Sequence, residues 1–508
     1  MTNLNTFITI SVFTVLFLIF AIIGFKAANW RKGDLNLLHE WALSGNKVGT
    51  FLMWFLVGAD IYTAYTFIAV PSGIFAKGSI FFFAVPYVMV TFGIAMVVMP
   101  SLWKISKDKG YITAVDFVKD KFNSRTLAIL IAVTGIVAEL PYIALQIVGM
   151  KAVLQVMLTP FGDIKTISET ALLISFIILA VFTYWSGIRG AVLTAVMKDV
   201  IILITVVVII VFVPLAYGGF FHAFSVAGYV GAGKKPPVDY ATLPPVLVNG
   251  YISLFILSAF ALYLYPHAIN GVLTAKSAKS VRLSTALLPI YGIGLAFLAL
   301  FGVLIYAVPH ALKEVGGNGV LVVPALIQST MPSWFTGFAF LGIFIGGLVP
   351  AAIMAISQAN LLTRNIVKEF KPDLSSDSET KIAKWSSVIF KFLALGFVFL
   401  VPETYSIQLQ LLGGILIVQT LPPIFIGLYT KWLDKNALIA GWLVGTFSGI
   451  YFVLKANAGH AIVTTFMKTP YGLLYVALVA LLLNLIVTVV WSAIAGMFKV
   501  KAPQKESV

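Results

Sequence analysis

The stretch Gly49–Gly78, GTFLMWFLVGADIYTAYTFIAVPSGIFAKG, is long enough to cross a membrane, yet it contains a carboxylate, an internal glycine and a proline. Asp60 lies about midway along the apolar part, where an ionised side chain in lipid costs several kcal/mol. Gly58 before it and Pro71 after it are residue types that interrupt membrane helices. The stretch therefore predicts a broken helix whose freed backbone lines a cavity. The alternative is a kinked structural helix with one satisfied buried acid.

The composition places the whole chain in a membrane. Of 508 residues, 60% are hydrophobic and only 10% are charged, and the mean hydropathy is +1.01. These values exclude a soluble globular protein and a nucleic-acid-binding protein. The chain has no cysteine, which excludes disulfides and thiolate metal sites. It also lacks a Walker-type glycine loop, a dinucleotide fingerprint and an HExxH motif, so we expect neither ATP-driven pumping nor an enzyme, and no cofactor.

Apolar windows of about 20 residues, the length that crosses the hydrocarbon layer, recur about thirteen times. We predict an all-α integral membrane protein, residues 1–508 forming a single transporter domain. The predicted spans are 5–25, 48–70, 79–103, 126–158, 169–187, 191–217, 246–267, 283–308, 334–362, 384–402, 405–430, 435–455 and 470–497.

The basic residues predict the orientation. If the N-terminus is outside, 24 of the 34 Lys and Arg residues fall on the inner side and 8 on the outer side, while Lys198 and Lys391 lie within spans. Inner loops of membrane proteins are enriched in Lys and Arg. We therefore expect the N-terminus outside and the C-terminus in the cytoplasm. The net charge of +15 reflects topology, and no nucleic-acid partner is expected.

Two later segments also place ionisable groups inside the membrane. In the fourth span, Glu139, Tyr142 and Gln146 are spaced i, i+3 and i+7 and so share one helical face. Glu139 is either a structural acid, protonated or hydrogen-bonded, or a proton-carrying site. After the fifth span, Lys198 and Asp199 either pair with each other or line a vestibule near the inner membrane face.

The seventh span corresponds to the broken second span, five spans later. Its sequence, VLVNGYISLFILSAFALYLYPHAING, is interrupted at Tyr265-Pro266-His267. Paired interrupted segments in two halves of a chain point to a transporter site at the repeat interface. No histidine has ligand-like spacing, so no metal site is predicted from the residues. The candidate substrate-binding residues are Asp60, Thr63, Tyr65, Thr66, Tyr142, Gln146, Ser258 and Tyr263.

Six motifs in order resemble the sodium/solute symporter family, and more narrowly its bacterial and archaeal monocarboxylate-permease branch. They are GADIYTAYTFIAVPSGIF, GYITAVDFVKDKF, YIALQ, SGIRGAVLTAVMKD, PHAINGVLTAKS and AAIMAISQANLLTRNI. The resemblance extends from about residue 5 to residue 500. It implies a LeuT-type fold with inverted repeats at 48–217 and 246–430 and additional helices at 435–497. It also implies alternating access driven by a cation gradient, in the plasma membrane of a prokaryote.

The resemblance further implies an ion site between the second and ninth spans. Backbone carbonyls near Gly58 and Ile61 would supply one side, and the ninth span would supply the other at Ala352, Ala355 and Ile356. Family members that use sodium have hydroxyl residues at the last two positions, whereas this chain has none there. Because hard cations prefer oxygen ligands, sodium binding should be weakened.

The coupling ion therefore stays open between sodium and protons. Protons would be carried through Asp60 or Glu139. The aspartate that the family commonly has on its sodium exit path falls at Ala195, and Ser357 supplies a hydroxyl one residue beyond the expected ion-site positions.

The predicted substrate is a small organic solute, most simply a short monocarboxylate such as lactate, pyruvate, acetate or propionate. Tyrosine and threonine hydroxyls and a half-helix N-terminus suit a carboxylate. A sodium-coupled symporter of amino acids or other solutes in the same family, and a non-transporting membrane sensor, are the alternatives. The other expected partner is the lipid bilayer.

Overall fold

The computed structural model describes residues 3–31, 33–400, 406–458 and 464–501. Within these ranges, eleven helices are long and apolar enough to cross a membrane, and the bent pair Gln408–Thr420 and Pro422–Tyr429 makes a twelfth. Each of the thirteen predicted spans coincides with one of these helices or with a shorter apolar one. The all-helical membrane fold is thus confirmed, although the ends of the predicted spans that fall on 401–405 lie outside the described residues.

The helices of the first half follow one another with short connections. They are α1 (Asn3–Lys26), α2 (Leu38–Leu43), α3 (Thr50–Ala59), α4 (Val70–Lys77), α5 (Ala84–Lys109), α6 (Ala114–Phe122), α7 (Arg125–Leu158), α8 (Ile164–Ser186), α9 (Ile188–Ala216), α10 (Gly219–Ala232), α11 (Val248–Ala261) and α12 (Pro266–Leu273).

The second half continues in the same way and contains one small sheet. Its elements are α13 (Ala278–Leu287), α14 (Pro289–Leu304), α15 (Pro309–Val315), α16 (Val322–Thr330), α17 (Ser333–Asn360), α18 (Lys368–Phe370), α19 (Ser376–Leu400), α20 (Ser406–Ile417), α21 (Gly427–Tyr429), α22 (Lys435–Ala456), β1 (Phe466–Thr469), β2 (Gly472–Tyr475) and α23 (Val476–Lys501).

The hairpin β1–β2 corrects the start of the last predicted span. The strands pair antiparallel, with Phe466 opposite Tyr475, so the helix begins at Val476 rather than near residue 470. The turn uses Gly472, whose φ of +101° favours glycine. The Tyr475 amide donates to the Ser253 hydroxyl at 2.9 Å, which attaches the hairpin to α11.

The second predicted span is broken, as its sequence predicts. α3 ends at Ala59, the chain turns, and a π-helical stretch at Tyr65–Ala69 leads into α4. Gly58 is required at the end of α3 because a Cβ there would overlap the Tyr291 ring of α14. We call the segment from Ala59 to Thr66 the first break.

The seventh predicted span is also broken. α11 ends at Ala261, Leu262–Leu264 form a 3₁₀ turn, and Tyr265 is extended with ψ of 134°. Pro266 restricts the residue before it to extended backbone and is itself well suited to the first turn of a helix. α12 therefore starts afresh at Pro266. We call Leu262–His267 the second break.

Helix α17 is the centre against which both broken helices pack. Its membrane window is buried along its whole length. Glycines of α17 also permit close packing against α7 and α9, because a Cβ at Gly347 would meet the backbone oxygen of Gln146 on α7 and a Cβ at Gly342 would meet Ile201 on α9. Small residues at helix interfaces let membrane helices approach closely.

The start of the first broken helix and the end of the second are joined directly. The Val48 amide donates to the Thr274 carbonyl at 3.1 Å, and the Lys276 amide donates to the Val48 carbonyl at 2.9 Å. This isolated parallel bridge is reinforced by Asn46, whose Nδ2 donates to the Leu273 carbonyl at 2.5 Å. The start of α3 and the end of α12 are therefore held together.

Candidate functional site

A buried ammonium group occupies the first break. Lys198 extends from α9, and its Nζ donates to the carbonyl oxygens of Ala59 at 3.0 Å and Tyr62 at 2.7 Å. Asp199 Oδ1 lies 2.9 Å from the same Nζ, and neither side chain is exposed. Of the two arrangements that the sequence left open, Lys198 and Asp199 form the pair rather than a vestibule. The pair reaches the break because α9 packs along α3.

The ion pair is tied to a third helix. The Tyr291 hydroxyl of α14 donates to Asp199 Oδ2 at 2.6 Å, and the rings of Tyr291 and Tyr62 lie 4.7 Å apart. A buried charge is tolerated when it is paired and hydrogen-bonded. The first break is thus connected to α9 and α14 through a continuous polar chain.

The carbonyls that face the cation lie one residue after those expected from the resemblance. The Gly58 carbonyl accepts the backbone amides of Ile61 at 2.9 Å and Tyr62 at 3.0 Å. The Ile61 carbonyl accepts the Thr66 hydroxyl. Within the described residues, the Lys198 ammonium is bound instead by the oxygens of Ala59 and Tyr62. A role for Gly58 and Ile61 in binding sodium stays a prediction.

The positions expected on the other side of the ion site are buried and apolar. Ala352, Ala355 and Ile356 lie on α17 and have almost no exposed surface. None of them carries a side-chain oxygen, so their part in an ion site also stays a prediction. Ala195 is likewise buried on α9, one helical turn before Asp199, so α9 does carry a carboxylate close to the predicted position.

A buried carboxylate occupies the second break. Glu139 Oε1 accepts the backbone amide of His267 at 2.8 Å and lies 2.7 Å from its Nδ1. Ser357 Oγ of α17 lies 2.9 Å from Glu139 Oε2, and all three residues are buried. A carboxylate at a helix N-terminus is favoured by the free amides and the helix dipole. The sequence singled out Glu139 but not its partnership with His267 and Ser357.

Asp60 belongs to the first break and has no hydrogen-bond partner among the described residues. Both its carboxylate oxygens are buried and unpartnered among the described residues, as is Nε2 of His267. Asp60 interacts electrostatically with His267 and Lys198. Native proteins leave few buried polar groups unsatisfied, and such groups call for an explanation. The alternative of a satisfied structural acid is therefore not what the structure contains.

Three predicted substrate residues hold the shape of the first break. Thr63 Oγ1 accepts the Tyr65 amide at 3.1 Å, and Gln146 Oε1 accepts the Ala64 amide at 3.0 Å. Thr66 binds within the same turn. Thr63 and Gln146 thereby satisfy backbone amides that the interrupted helix leaves free, whereas the Thr66 hydroxyl donates to the Ile61 carbonyl. In this arrangement the three side chains stabilise the backbone conformation of the first break. Their contact with substrate stays a prediction.

The predicted tyrosines line the space beside the breaks. Tyr142 lies 5.3 Å from Tyr265 and 5.5 Å from His267, measured between ring centroids. The rings of Tyr65 and Tyr87 lie 6.2 Å apart, measured between their centroids. The other two candidates, Ser258 and Tyr263, are buried on α11 and in the second break.

A cavity approaches the second break from the end where α6 lies. Five elements contribute to its lining, among them Thr113 of the segment before α6, Gly135 of α7, Pro266 and Ile269 of α12 and Ser357 of α17. The cavity therefore reaches the Glu139–His267–Ser357 group from one side of the protein. This side carries the loops that the charge pattern places in the cytoplasm.

The opposite end is covered by the connection between α10 and α11. Lys234 Nζ donates to the Phe75 carbonyl at 3.1 Å and to the Tyr240 and Tyr306 hydroxyls at 2.7 and 3.0 Å. Phe75 lies in α4. The connection between α10 and α11 is therefore bound to the second half of the first broken helix.

Two half-helices that end inside a helical bundle, with buried charges at their ends, define a membrane transporter of the discontinuous-helix class. The chain belongs to the Sodium:solute symporter family, which matches residues 41–445. The family and fold predictions are thereby confirmed, and the protein is a transporter and not an enzyme.

Two curated relatives and one solved structure are similar to the chain. It is 40% identical to the monocarboxylate transport permease protein of Rhizobium johnstonii over 496 residues, 96% of each chain. It is 24% identical to the sodium/pantothenate symporter of Escherichia coli over 454 residues, 84% of this chain and 86% of the relative. A Na⁺-coupled sialic acid symporter in a substrate-bound outward-open state matches with a TM-score of 0.72 at 15% identity, covering 98% of this chain and 99% of the other.

Proposed function

We propose that this protein is a cation-coupled symporter that imports a short monocarboxylate by alternating access. The observation that carries the proposal is the 40% identity to a monocarboxylate transport permease over 96% of both chains. The two breaks support it independently, because Asp60 of the first break and His267 Nε2 of the second are buried there without hydrogen-bond partners among the described residues.

The groups between the breaks suit a small carboxylate. His267 Nε2 is buried without a hydrogen-bond partner among the described residues. Because Nδ1 faces the Glu139 carboxylate, Nε2 can donate to a carboxylate oxygen when the imidazole is protonated. Asp60 would repel an anion unless a cation or a proton accompanies it. The unpartnered acid thus gives a physical reason for coupling anion uptake to a cation.

The proposal extends to the organisation of the chain. The repeats are 48–217 and 246–430, each starting with one broken helix, and 435–497 adds peripheral helices. The N-terminus lies outside and the C-terminus lies in the cytoplasm of a prokaryotic cell, in accordance with the excess of Lys and Arg on one side. The coupling ion is sodium or a proton.

Uptake into proteoliposomes tests the substrate class. Radiolabelled lactate would be offered to the purified full chain under a cation gradient, with unlabelled acids, amino acids and sugars as competitors. We expect pyruvate, acetate and propionate to compete, and alanine and glucose not to. Competition by amino acids or sugars alone would show that the substrate is not a monocarboxylate.

A further inference from the structure

We propose that Lys198 is the built-in cation of the first break, and that protonation and deprotonation of its amine, rather than sodium binding, couple transport to an ion gradient. The inference rests on the proposed function, because it names the coupling ion of that transporter. It arises from the contacts of a side chain that the sequence had placed only near the inner membrane face.

The geometry is that of a filled cation site. Where α3 ends, the carbonyls of Ala59 and Tyr62 converge on Lys198 Nζ at 3.0 and 2.7 Å. These distances are ordinary for hydrogen bonds from nitrogen to oxygen. Two unit positive charges about 4 Å apart repel strongly enough to weaken binding by roughly a thousandfold. A sodium ion therefore cannot share these carbonyls with the ammonium group.

The facing helix does not compensate. Between Ser333 and Asn360, α17 has no ionisable side chain, and its residues Ala352, Ala355 and Ile356 offer no oxygen. The carbonyl side of the site is occupied by an amine, and the helix side lacks side-chain ligands. Both observations disfavour a metal ion at this place and favour the lysine as its substitute.

The charged groups around the amine come from three elements. Asp199 on the same helix and Asp60 at the first break act on Lys198. Tyr62 of the first break and Tyr291 of α14 interact with Asp199. Among the described residues, α1, α2, α8 and α10 also pack against α9 but supply none of the charged groups that act on Lys198, and α17 has no ionisable side chain. The amine and the two carboxylates form a small buried set whose net charge changes with one proton.

That proton has a structural effect. The ammonium holds the first break to α9 through two carbonyls and its charge attraction to Asp199. When the N–H bond breaks and the proton leaves to water on the inner side, the attraction to Asp199 is lost. The break is then free to move relative to α9. Uptake of a proton from the outer side, forming the N–H bond again, restores the tie and completes the cycle.

Transport by the full chain in proteoliposomes gives the first test, with Lys198→Met compared with wild type. Lys391→Met is the matched control, because Lys391 is also fully buried in a span, while its ammonium donates to the Ser387 hydroxyl and to no backbone carbonyl among the described residues. We expect wild type and the control to accumulate lactate under an inward proton gradient without sodium, and a protonophore to abolish this. Lys198→Met should lose accumulation but keep exchange of internal for external lactate. Accumulation driven by sodium and unaffected by a protonophore would overturn the proposal.

A second test does not depend on the substrate. The chain has no cysteine, so Ile269→Cys, which lines the cavity, would be its single thiol. Maleimide labelling would be followed between about pH 6 and pH 8, the intrinsic change in thiol reactivity being common to all variants. We expect the labelling rate of Ile269→Cys alone, and of Ile269→Cys with Lys391→Met, to change more with pH than that of Ile269→Cys with Lys198→Met. Sodium should have no effect on the labelling rate. Equal pH responses in all three would overturn the proposal.

The two assays separate the failure of the two proposals. If no monocarboxylate is transported under any gradient, the proposed substrate class is wrong, while the thiol assay still decides the role of Lys198. If Lys198→Met does not fold, Lys198→Arg replaces it. An arginine keeps the charge and cannot release a proton at any physiological pH. It should therefore abolish accumulation and the extra pH response, and retention of either would contradict the inference.

Discussion

At the first break, the C-terminal carbonyls of a half-helix face the Lys198 ammonium, whereas at the second break an N-terminal amide of α12 faces the Glu139 carboxylate. The carbonyl end of a helix carries partial negative charge and the amide end partial positive charge. Each interrupted end is therefore matched by a side chain of opposite sign, supplied by a helix outside the break.

The difference lies in how the two charges are neutralised. Lys198 is paired with Asp199, a full carboxylate on the next residue, whereas Glu139 depends on His267 and the Ser357 hydroxyl. The first break therefore holds a complete ion pair, and the second holds a carboxylate with a partner that is charged only when protonated. Asp60 belongs to the first break but has no hydrogen-bond partner among the described residues, so it is the group free to respond to a ligand.

Removing the charge at the second break should have the largest effect. Glu139→Ala leaves the His267 amide without its acceptor and the His267 ring without its carboxylate partner, and it should destabilise the protein by about 3–5 kcal/mol, the range for breaking a buried pair. Glu139→Gln keeps an acceptor oxygen and should cost only about 1–3 kcal/mol. Thermal unfolding in detergent would rank them. Equal stability of the two variants would show that the acceptor is not what holds the second break.

Asp60→Asn should abolish or sharply reduce transport while leaving stability almost unchanged. The carboxylate has no hydrogen-bond partner to lose among the described residues, but intramembrane acids mark coupling pathways. Uptake and unfolding temperature would be measured on the same preparation. Wild-type uptake by correctly inserted Asp60→Asn would show that Asp60 has only a structural role. Asp60 would then not differ in role from the paired charges of Lys198 and Glu139.

Tyr291→Phe tests how much the ion pair of the first break depends on its third helix. It removes one hydrogen bond to Asp199 and should cost about 1.5–3 kcal/mol, as expected for a bond to a charged group. Tyr451→Phe on α22, where the side chain is exposed, is the control and should have no effect. An unchanged unfolding temperature for both variants would mean that Lys198 and Asp199 stabilise each other without α14.

Ala355→Ser combined with Ile356→Ser should have the smallest effect. The two hydroxyls would complete the helix side of the site, but Lys198 still occupies the carbonyls. We expect sodium dependence to increase clearly only when Lys198→Ala is added. Uptake with sodium replaced by choline would be compared for the double and triple variants. Sodium dependence in the double variant alone would show that Lys198 does not exclude the ion.

Much of the architecture follows from the sequence because its signals are local. The helix interruption around Asp60, the paired interruption at Pro266 and the apolar windows depend on residues adjacent in the chain. Glu139 was recognised as an inward-facing acid from its spacing with Tyr142 and Gln146. Each of these inferences needed only helical periodicity or the conformational limits of glycine and proline.

What the sequence did not predict depends on contacts between distant segments. Lys198 binds carbonyls 136 and 139 residues away, and its depth in the membrane cannot be read from its position at the start of an apolar window. Ser357 meets Glu139 across 218 residues. The carbonyls that bind Lys198 belong to Ala59 and Tyr62, each one residue after the carbonyls predicted for sodium. α3 continues to Ala59 before the chain turns.

The bridge between Val48 and Ala275 has a consequence for biosynthesis. Asn46 and its partner Leu273 are 227 residues apart, and a ribosome adds about 5–20 residues per second. Roughly 10–50 s therefore pass between the synthesis of Asn46 and the synthesis of Leu273, whose carbonyl Asn46 binds. During this interval Asp60 and the open carbonyls have only part of their final surroundings.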